Sequence, residues 1–271
     1  MKRIAIIGAG VTGLAAARAL VAAGFAVTAF DKGRRPGGRM ASRDGAAGSF
    51  DHGVQFVRAT AAEAEWIGDG SLLHWPAIEL KGDAGGWIAT PTFNHLAQHW
   101  ANGLDLQCSR TVNAISRRER GHGWQLRCAE TAESFDCDAL LLTIPTPQAI
   151  PLLAAAGVES APLGAVRYAP NWTLMWTPAD PLPAGFSHHA GVADDPLAWI
   201  AREDRKPGRA GPPRLTVQAS AAWSIEHLER AADDAAARLV ALTALAAFRT
   251  WTGREQHRTV AAIAASSSPR A

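Results

Sequence analysis

The sequence predicts an α/β fold, a doubly wound parallel sheet interrupted by a mostly antiparallel β insertion, and three observations carry that prediction. The chain opens with a β-branched run, a glycine-rich turn and an alanine-rich helical run, in that order. A second apolar run, Asp138-Ala139-Leu140-Leu141-Leu142-Thr143-Ile144, reads as a fully buried parallel strand returning to the same sheet. Short strand-like segments, turns and most of the tryptophans occupy residues 53–89 and the chain from Leu163 onward, which is the texture of antiparallel structure.

Composition narrows the class before any motif is read. With 271 residues, 48% of them hydrophobic and 19% charged, the chain matches globular averages, which excludes disorder, collagen and coiled coil as descriptions of the whole. Lys and Arg number 27 against 25 Asp and Glu, so the net charge of +2 leaves no footprint for nucleic acid or an anionic membrane. Cys108, Cys128 and Cys137 are odd in number and show no C-x-x-C spacing, which argues against a disulfide framework and a structural zinc site and makes a reducing cytoplasm the expected location.

Lys2 and Arg3 before the apolar stretch from Ile4 to Phe30 superficially suggest a signal peptide or anchor. Gly8, Gly10, Gly13 and Gly24 interrupt that stretch and Arg18 charges its middle, so it divides into strand, turn, helix and strand. Ile4-Ala5-Ile6-Ile7 is the strand, and Gly8-Ala9-Gly10-Val11-Thr12-Gly13 follows as G-x-G-x-x-G opening a helix from Leu14 to Ala23. The first glycine permits the tight turn, the second lets a pyrophosphate approach the backbone, and the third lets helix and strand pack closely. The helix start adds unpaired N–H groups and partial positive charge. A second strand, Ala26 to Phe30, ends at Asp31, eighteen residues beyond Gly13, where a carboxylate accepts hydrogen bonds from an adenosine ribose. Strand, glycines, helix and acid together predict a dinucleotide site; the competing reading is a glycine-rich helix–strand contact without a ligand.

A second glycine-rich and basic loop, Arg34-Arg35-Pro36-Gly37-Gly38-Arg39-Met40, follows within ten residues of the acid. It supplies further backbone N–H groups, and Arg39, to the same pyrophosphate, or else it is a solvated basic loop. An acid followed by a G-G-R turn resembles the extended dinucleotide motif of the flavin-containing amine oxidase superfamily. Phe50-Asp51-His52-Gly53-Val54-Gln55-Phe56, Trp199-Ile200-Ala201-Arg202 with Lys206-Pro207-Gly208-Arg209, and Ala219-Ser220-Ala221-Ala222-Trp223-Ser224 are similar to segments of its small renalase-like branch. The likeness runs from Met1 to about Arg258.

That resemblance implies a Rossmann-like FAD-binding domain with an inserted, mostly antiparallel β substrate domain. It divides the chain into residues 1–52 and 90–160 for FAD, 53–89 and 161–258 for substrate, and 259–271 as a disordered or aberrant tail. The implied cofactor contacts are Gly8, Ala9, Gly10, Val11, Thr12, Gly13, Asp31, Lys32, Gly38, Arg39, Met40, Val112, Thr143 and Pro145, the last three beside the adenine end. Read from the residues alone, those last three are only a sheet edge and a strand exit. The implied reaction is an oxidase-type hydride transfer from a small substrate to flavin and on to O₂. The substrate is an isomeric dihydronicotinamide dinucleotide or, from the broader superfamily, an amine. The flavin carries the electron chemistry, so no obligatory acid–base residue is expected. Asp51, His52 and Gln55 are the candidates near the flavin, with a structural turn as the equal alternative for Asp51-His52-Gly53.

The remaining features are weighed in the same way. Thr90-Pro91-Thr92 precedes a helix from Phe93 that stops at Gly103, and strands follow at Leu104–Cys108, Thr111–Arg117 and Trp124–Cys128. Ten tryptophans against one tyrosine offer ring walls for a planar group, although packing is the commoner reason for Trp in strands. Asp195 to Pro213 reads as a charged loop whose Arg202, Lys206 and Arg209 are solvated rather than bound to a substrate phosphate, and His188-His189 reads as an exposed loop pair. No G-x-S-x-G elbow and no second G-x-G-x-x-G occurs, and no metal, nucleic acid or membrane partner is expected. The family's closing Gly-Asp segment has no counterpart after Gln256-His257-Arg258, which raises a truncated or frameshifted member and, as the alternative function, a nucleotide-binding remnant without turnover.

Overall fold

The computed structural model describes residues 1–118, 122–179, 181–182, 186–247 and 261–263. They divide into two units, one of Met1–Ala41 and Asn94–Tyr168, the other of Ser42–Phe93 and the described residues from Ala169 onward. The fold is mixed α/β, with a parallel Rossmann-like sheet in the first unit and separate antiparallel sheets.

The first unit is organised by strand Arg3–Ile7, which pairs in parallel with Ala26–Asp31 on one side and Ala139–Leu142 on the other. Its apolar run is continuous because both faces are covered. Ile4 and Ile6 pack with Ala17, Val27 and Ala29, where Ala17 comes from helix Val11–Ala22. Ala5 and Ile7 pack with Phe30, Val112, Ile115 and Leu126. Burying each isoleucine contributes about 1.5–3 kcal/mol, so the alternation alone fixes which face meets the helix. Strand Asp105–Cys108 closes one edge of the sheet beside Ala26–Asp31. Val112–Arg117, Trp124–Cys128 and Ser134–Cys137 form a three-stranded antiparallel sheet.

The returning strand departs from expectation. Ala139–Leu142 is parallel as predicted, but it is the edge of the sheet, and its residues are half-buried or exposed, with Leu141 37% exposed. An edge strand has a neighbour on one side only, so a leucine run there is less covered than the same run in the sheet's interior. Helix Thr146–Ala155 follows the turn at Pro145.

The second unit centres on a five-stranded antiparallel sheet ordered His188–Ala190, Leu197–Arg202, Leu215–Ala219, Thr173–Trp176 and Ala261–Ile263. Leu174, Ile200, Leu215 and Val217 face helix Ala232–Ala247, where Ala235, Ala236 and Leu239 meet them. The expected tail at 259–271 therefore contributes one short strand; its other residues lie outside the described residues, as do Gln256, His257 and Arg258. The expected loop from Asp195 to Pro213 is corrected as well. Leu197–Arg202 is an interior strand of this sheet, and a single helical turn, Glu203–Arg205, follows it. His188 and His189 likewise sit on a strand paired to Ala201 and Ile200, half-buried rather than in an exposed loop. Two smaller sheets complete the unit, the hairpin Ser42–Gly45 with Gly48–Asp51, and Val57–Ala59, Gly85–Ala89 and Leu72–His74. Among the described residues no helix is long and apolar enough to cross a membrane.

Candidate functional site

In the first unit, backbone geometry brings the two glycine-rich loops together. Gly8 takes a left-handed conformation, with φ of 106°, as the strand turns into the loop, and its N–H donates to the Phe30 carbonyl at 2.8 Å. Thr143 closes that turn by donating its hydroxyl to the carbonyls of Gly8 and Ile7 at 2.9 and 3.1 Å. A Cβ at Gly13 would stand 1.9 Å from the Gly8 oxygen, so only glycine permits the helix to lie this close to the strand. Gly10 differs, because a Cβ there would meet nothing within 4 Å. It is the N-cap of helix Val11–Ala22, carries no side-chain cap and thus leaves the first helical N–H groups facing outward. The space beside Gly10 is open to a ligand, and the N–H groups beside it suit an anion.

The second loop runs alongside the first. Gly37 donates its N–H to the Ala9 carbonyl at 2.8 Å, and Gly10 and Gly37 form a parallel bridge. A Cβ on Gly38 would touch the Gly10 Cα at 3.4 Å. Asn94 and Ala97 of helix Phe93–Ala101 support this loop, the Asn94 amide by donating to the Pro36 carbonyl at 3.0 Å, and Ala97 by packing against Gly37. Neither was singled out from the sequence, since the contact joins segments about sixty residues apart (the Asn94–Pro36 separation is 58). Met40 is buried, whereas Arg39 is exposed and makes no hydrogen bond or ion pair among the described residues.

Asp31 ends the second strand beside these loops and does more than the motif suggests. One carboxylate oxygen accepts the Ala9 N–H at 2.6 Å and the other the Gly33 N–H at 2.7 Å. Each oxygen keeps a further lone pair for a ribose hydroxyl. Ser109 and Arg110 donate their N–H groups to the carbonyls of Gly33 and Asp31, each at 2.9 Å, which leads the chain past the acid toward buried Val112. Lys32, Arg34 and Arg35 are exposed. Cys108 pairs in register with Asp31; burial and then the Asp31 carboxylate push its thiol upward, keeping it uncharged. The structure thus gathers Gly8–Gly13, Asp31, Gly38–Met40, Thr143 and the Val112 strand around one end of the parallel sheet.

The candidates Asp51 and Gln55 lie in the second unit inside a buried charge cluster. Asp51 is fully buried and accepts from Ser42 Oγ at 2.6 Å, the Phe93 N–H at 3.2 Å, Lys206 Nζ at 3.4 Å and the Arg209 guanidinium. Glu203, also fully buried, accepts from Lys206 at 2.8 Å, Thr216 Oγ1 at 2.7 Å and Arg209. The two carboxylates and two cations are balanced. Burial raises the Asp51 carboxyl, Lys206 and Arg209 lower it, and the net effect places it below its ordinary range. Arg202 pairs with Asp204, both nearly inaccessible. The solvated reading of Arg202, Lys206 and Arg209 is overturned: Arg202 is consumed by neighbouring Asp204, and Lys206 and Arg209 by Glu203 of the same segment together with Asp51, brought in from a distant part of the chain. Gln55 bridges the same cluster, donating to the Asp51 and Gly53 carbonyls and accepting from Lys206 Nζ at 3.3 Å. His52 is half-buried; burial and then Arg43 hold it below the usual imidazole value against the pull of Asp51. Among the described residues no group of His, Cys, Asp and Glu could hold a metal ion.

The tryptophans divide between packing and a ring cluster. Trp172, Trp176 and Trp223 belong to the core under the five-stranded sheet, and Trp66 is 79% exposed on helix Ala61–Gly68. Trp75 and Trp199 meet Phe56 and His188 in a separate group.

The profile of the NAD(P)-binding Rossmann-like domain family matches residues 6–67. Among solved structures, putrescine oxidase bound to putrescine is similar at a TM-score of 0.65 and 13% identity, over 90% of this chain and 81% of that one. A fatty acid isomerase from P. acnes that produces CLA is similar at 0.62 and 12%, over 80% and 76% of the two chains. A protein assigned as a protoporphyrinogen oxidase from Exiguobacterium sp. 255-15 is similar at 0.57 and 15%, over 80% and 76%. At these identities the likeness is one of fold, and the fold carries more than one chemistry.

Proposed function

We propose that this chain is an FAD-dependent oxidoreductase of the oxidase type, with a renalase-like preference for isomeric dihydronicotinamide dinucleotides. One observation carries the cofactor assignment: two glycine-rich loops hydrogen-bonded side by side, meeting at Gly10, where the backbone is open and the helix start uncapped. A single fingerprint suits any dinucleotide; the second loop, with Arg39 unpaired among the described residues, supplies additional groups to the pyrophosphate. Fold neighbours that include putrescine oxidase support flavin over nicotinamide as the resident group. Gly8–Gly13 would hold the pyrophosphate through backbone N–H groups, Asp31 and neighbouring Lys32 the ribose, and Arg39 a phosphate oxygen. Val112, Thr143 and Pro145 would flank the adenine end.

When bound, FAD supplies a two-electron acceptor, taking a substrate hydride and releasing the electron pair, with that hydrogen and one proton, to O₂ as hydrogen peroxide. The chain's own residues position the reactants and exclude water. Asp51 and Gln55 serve by holding the buried cluster. The three free cysteines favour a reducing cytoplasm. Anaerobic mixing with 2- or 6-dihydro isomers of NAD(P)H should bleach flavin absorbance, and air should restore it with one hydrogen peroxide per turnover. A flavoprotein bleached by amines and not by these dihydropyridines would replace the substrate assignment. A colourless protein that binds ADP would replace the enzyme by a nucleotide binder without turnover.

A further inference from the structure

Two adjacent glycines set the course of the second loop, and glycine imposes no course of its own. Gly37 and Gly38 take φ of 121° and 52°, both in the left-handed region, while a residue without a Cβ populates either hand about equally. The direction in which Arg39 leaves the loop is therefore fixed from outside this pair. The Pro36–Gly37 peptide is held at both of its polar ends. Its N–H donates to the Ala9 carbonyl at 2.8 Å, and its carbonyl accepts from Asn94 Nδ2 at 3.0 Å. The first bond ties the peptide to the loop that opens helix Val11–Ala22, and the second ties it to helix Phe93–Ala101. Beyond the glycines Met40 is buried, and its N–H donates to the Gly37 carbonyl at 2.8 Å. Exposed Arg39 stands between these fixed points.

Asn94 is itself held in one orientation. It is buried, and Gln98, one helical turn on, donates Nε2 to Asn94 Oδ1 at 2.8 Å. A carbonyl only accepts, so the Pro36 oxygen requires the NH₂ end of Asn94. By donating to the other end of that amide, Gln98 selects the required orientation. Ala97, on the same helix, lies 3.0 Å from where a Cβ on Gly37 would stand, which bars the loop from swinging toward the helix. On its other side a Cβ on Gly38 would stand 3.4 Å from the Gly10 Cα. The loop is thus seated between the helix and the open backbone at Gly10, with the Asn94 amide as its side-chain hydrogen bond to the helix.

We propose that Asn94, oriented by Gln98, is a positioning residue for the phosphate site: it holds the Pro36–Gly37 peptide so that Arg39 reaches a phosphate bound at Gly10. The inference rests on the dinucleotide reading of the paired loops, but it concerns the diphosphate alone, so ADP tests it apart from flavin. Without the Asn94 bond the two glycines have to be ordered when ligand binds, and the charge-assisted contact of Arg39 weakens by that ordering.

The test is calorimetric titration of the full-length, flavin-free chain with ADP at two salt concentrations, as a double-mutant cycle between Asn94→Leu and Arg39→Ala. Asn94→Leu should weaken ADP about tenfold and flatten its salt dependence as Arg39→Ala does. In the Arg39→Ala background it should cost less than about twofold, because the group it positions is gone. Gln98→Leu, which leaves Asn94 in place without its orienting partner, should weaken ADP about threefold in the same salt-dependent way. That variant decides the matter if Asn94→Leu fails to fold. Unchanged salt dependence, or an equal loss with and without Arg39, would overturn the proposal and leave Asn94 as a hydrogen bond of the fold; so would a lower melting temperature at native ADP affinity. The expected ADP results from a chain that retains no FAD would support the positioning role while defeating the flavin reading. A yellow chain whose ADP affinity is indifferent to both changes would overturn the role and spare the flavin reading. A chain that binds neither ADP nor FAD would overturn both.

Discussion

Replacing Asp51 by asparagine keeps the size of the side chain and deletes one charge from a buried group of four. In the native arrangement Asp51 and Glu203 balance Lys206 and Arg209, and all four side chains are 3% exposed or less. After the change, two cations share one carboxylate with almost no water to compensate. Breaking a buried pair by removing one partner costs about 3–5 kcal/mol, because the remaining charge is left uncompensated. Ser42 and the Phe93 N–H also lose a charged acceptor for a neutral one. For a chain of this size each kcal/mol moves the melting temperature by roughly 2–4 °C, so a drop on the order of 10 °C is expected. The assay is urea and thermal unfolding followed by tryptophan fluorescence, with Lys206→Met and the double variant beside it. Restoring neutrality in the double variant should recover part of the loss, giving a coupling of at least about 1 kcal/mol. A cost below about 1 kcal/mol for Asp51→Asn, with no coupling, would return these residues to a solvated loop and refute the reasoning.

The glycines should separate fold from binding. Gly13→Ala should destabilise the chain or abolish soluble expression, since its Cβ lands 1.9 Å from the Gly8 oxygen, whereas Gly10→Val should keep the melting temperature of the flavin-free chain and lose FAD affinity on the order of 100-fold. Asp31→Ala removes the acceptor of two loop N–H groups as well as the ribose contact, so both stability and affinity should fall, each by about 1–3 kcal/mol. Arg39→Ala should weaken adenine dinucleotide binding and flatten its salt dependence while Arg209→Met lowers stability instead, as titration at two salt concentrations would show. The pH dependence has two windows. His52 is lowered in the folded state, so the unfolded chain takes up protons more readily and stability should fall as pH drops through the ordinary value of 6.5. Asp51 is also lowered, so its stabilisation is present above the ordinary value of 3.8 and is lost as pH falls through the folded value. Asp51→Asn should remove the acid window and leave the His52 window.

What could be read from the sequence was local. The strand before Gly8, the helix after Gly10 and the acid at Asp31 are all encoded within one β-turn-α-β stretch, and periodicity marked strand Trp124–Cys128 to the residue. Pairing was not legible. Lys206 and Arg209 look like solvated cations because their partner Asp51 lies more than 150 residues away along the chain, at separations of 155 and 158, whereas Arg202 pairs with nearby Asp204. The two acids set among the three bases of Arg202-Glu203-Asp204-Arg205-Lys206 were the available hint that some of these charges could satisfy one another. Strand order is equally non-local, so a leucine run at Ala139–Leu142 read as interior is an edge. The His188–Trp199 stack escaped notice for the same reason, as a hairpin register sets it.

The central claim, that the paired glycine loops hold FAD, is tested most directly by titrating the purified chain with FAD and measuring bound flavin after gel filtration, beside Gly10→Val. One flavin retained per chain by the native protein, released on denaturation and lost in the variant, with the two flavin-free chains melting at the same temperature, is the predicted result. Retention of no flavin by a folded native chain, or equal retention by Gly10→Val, would contradict it.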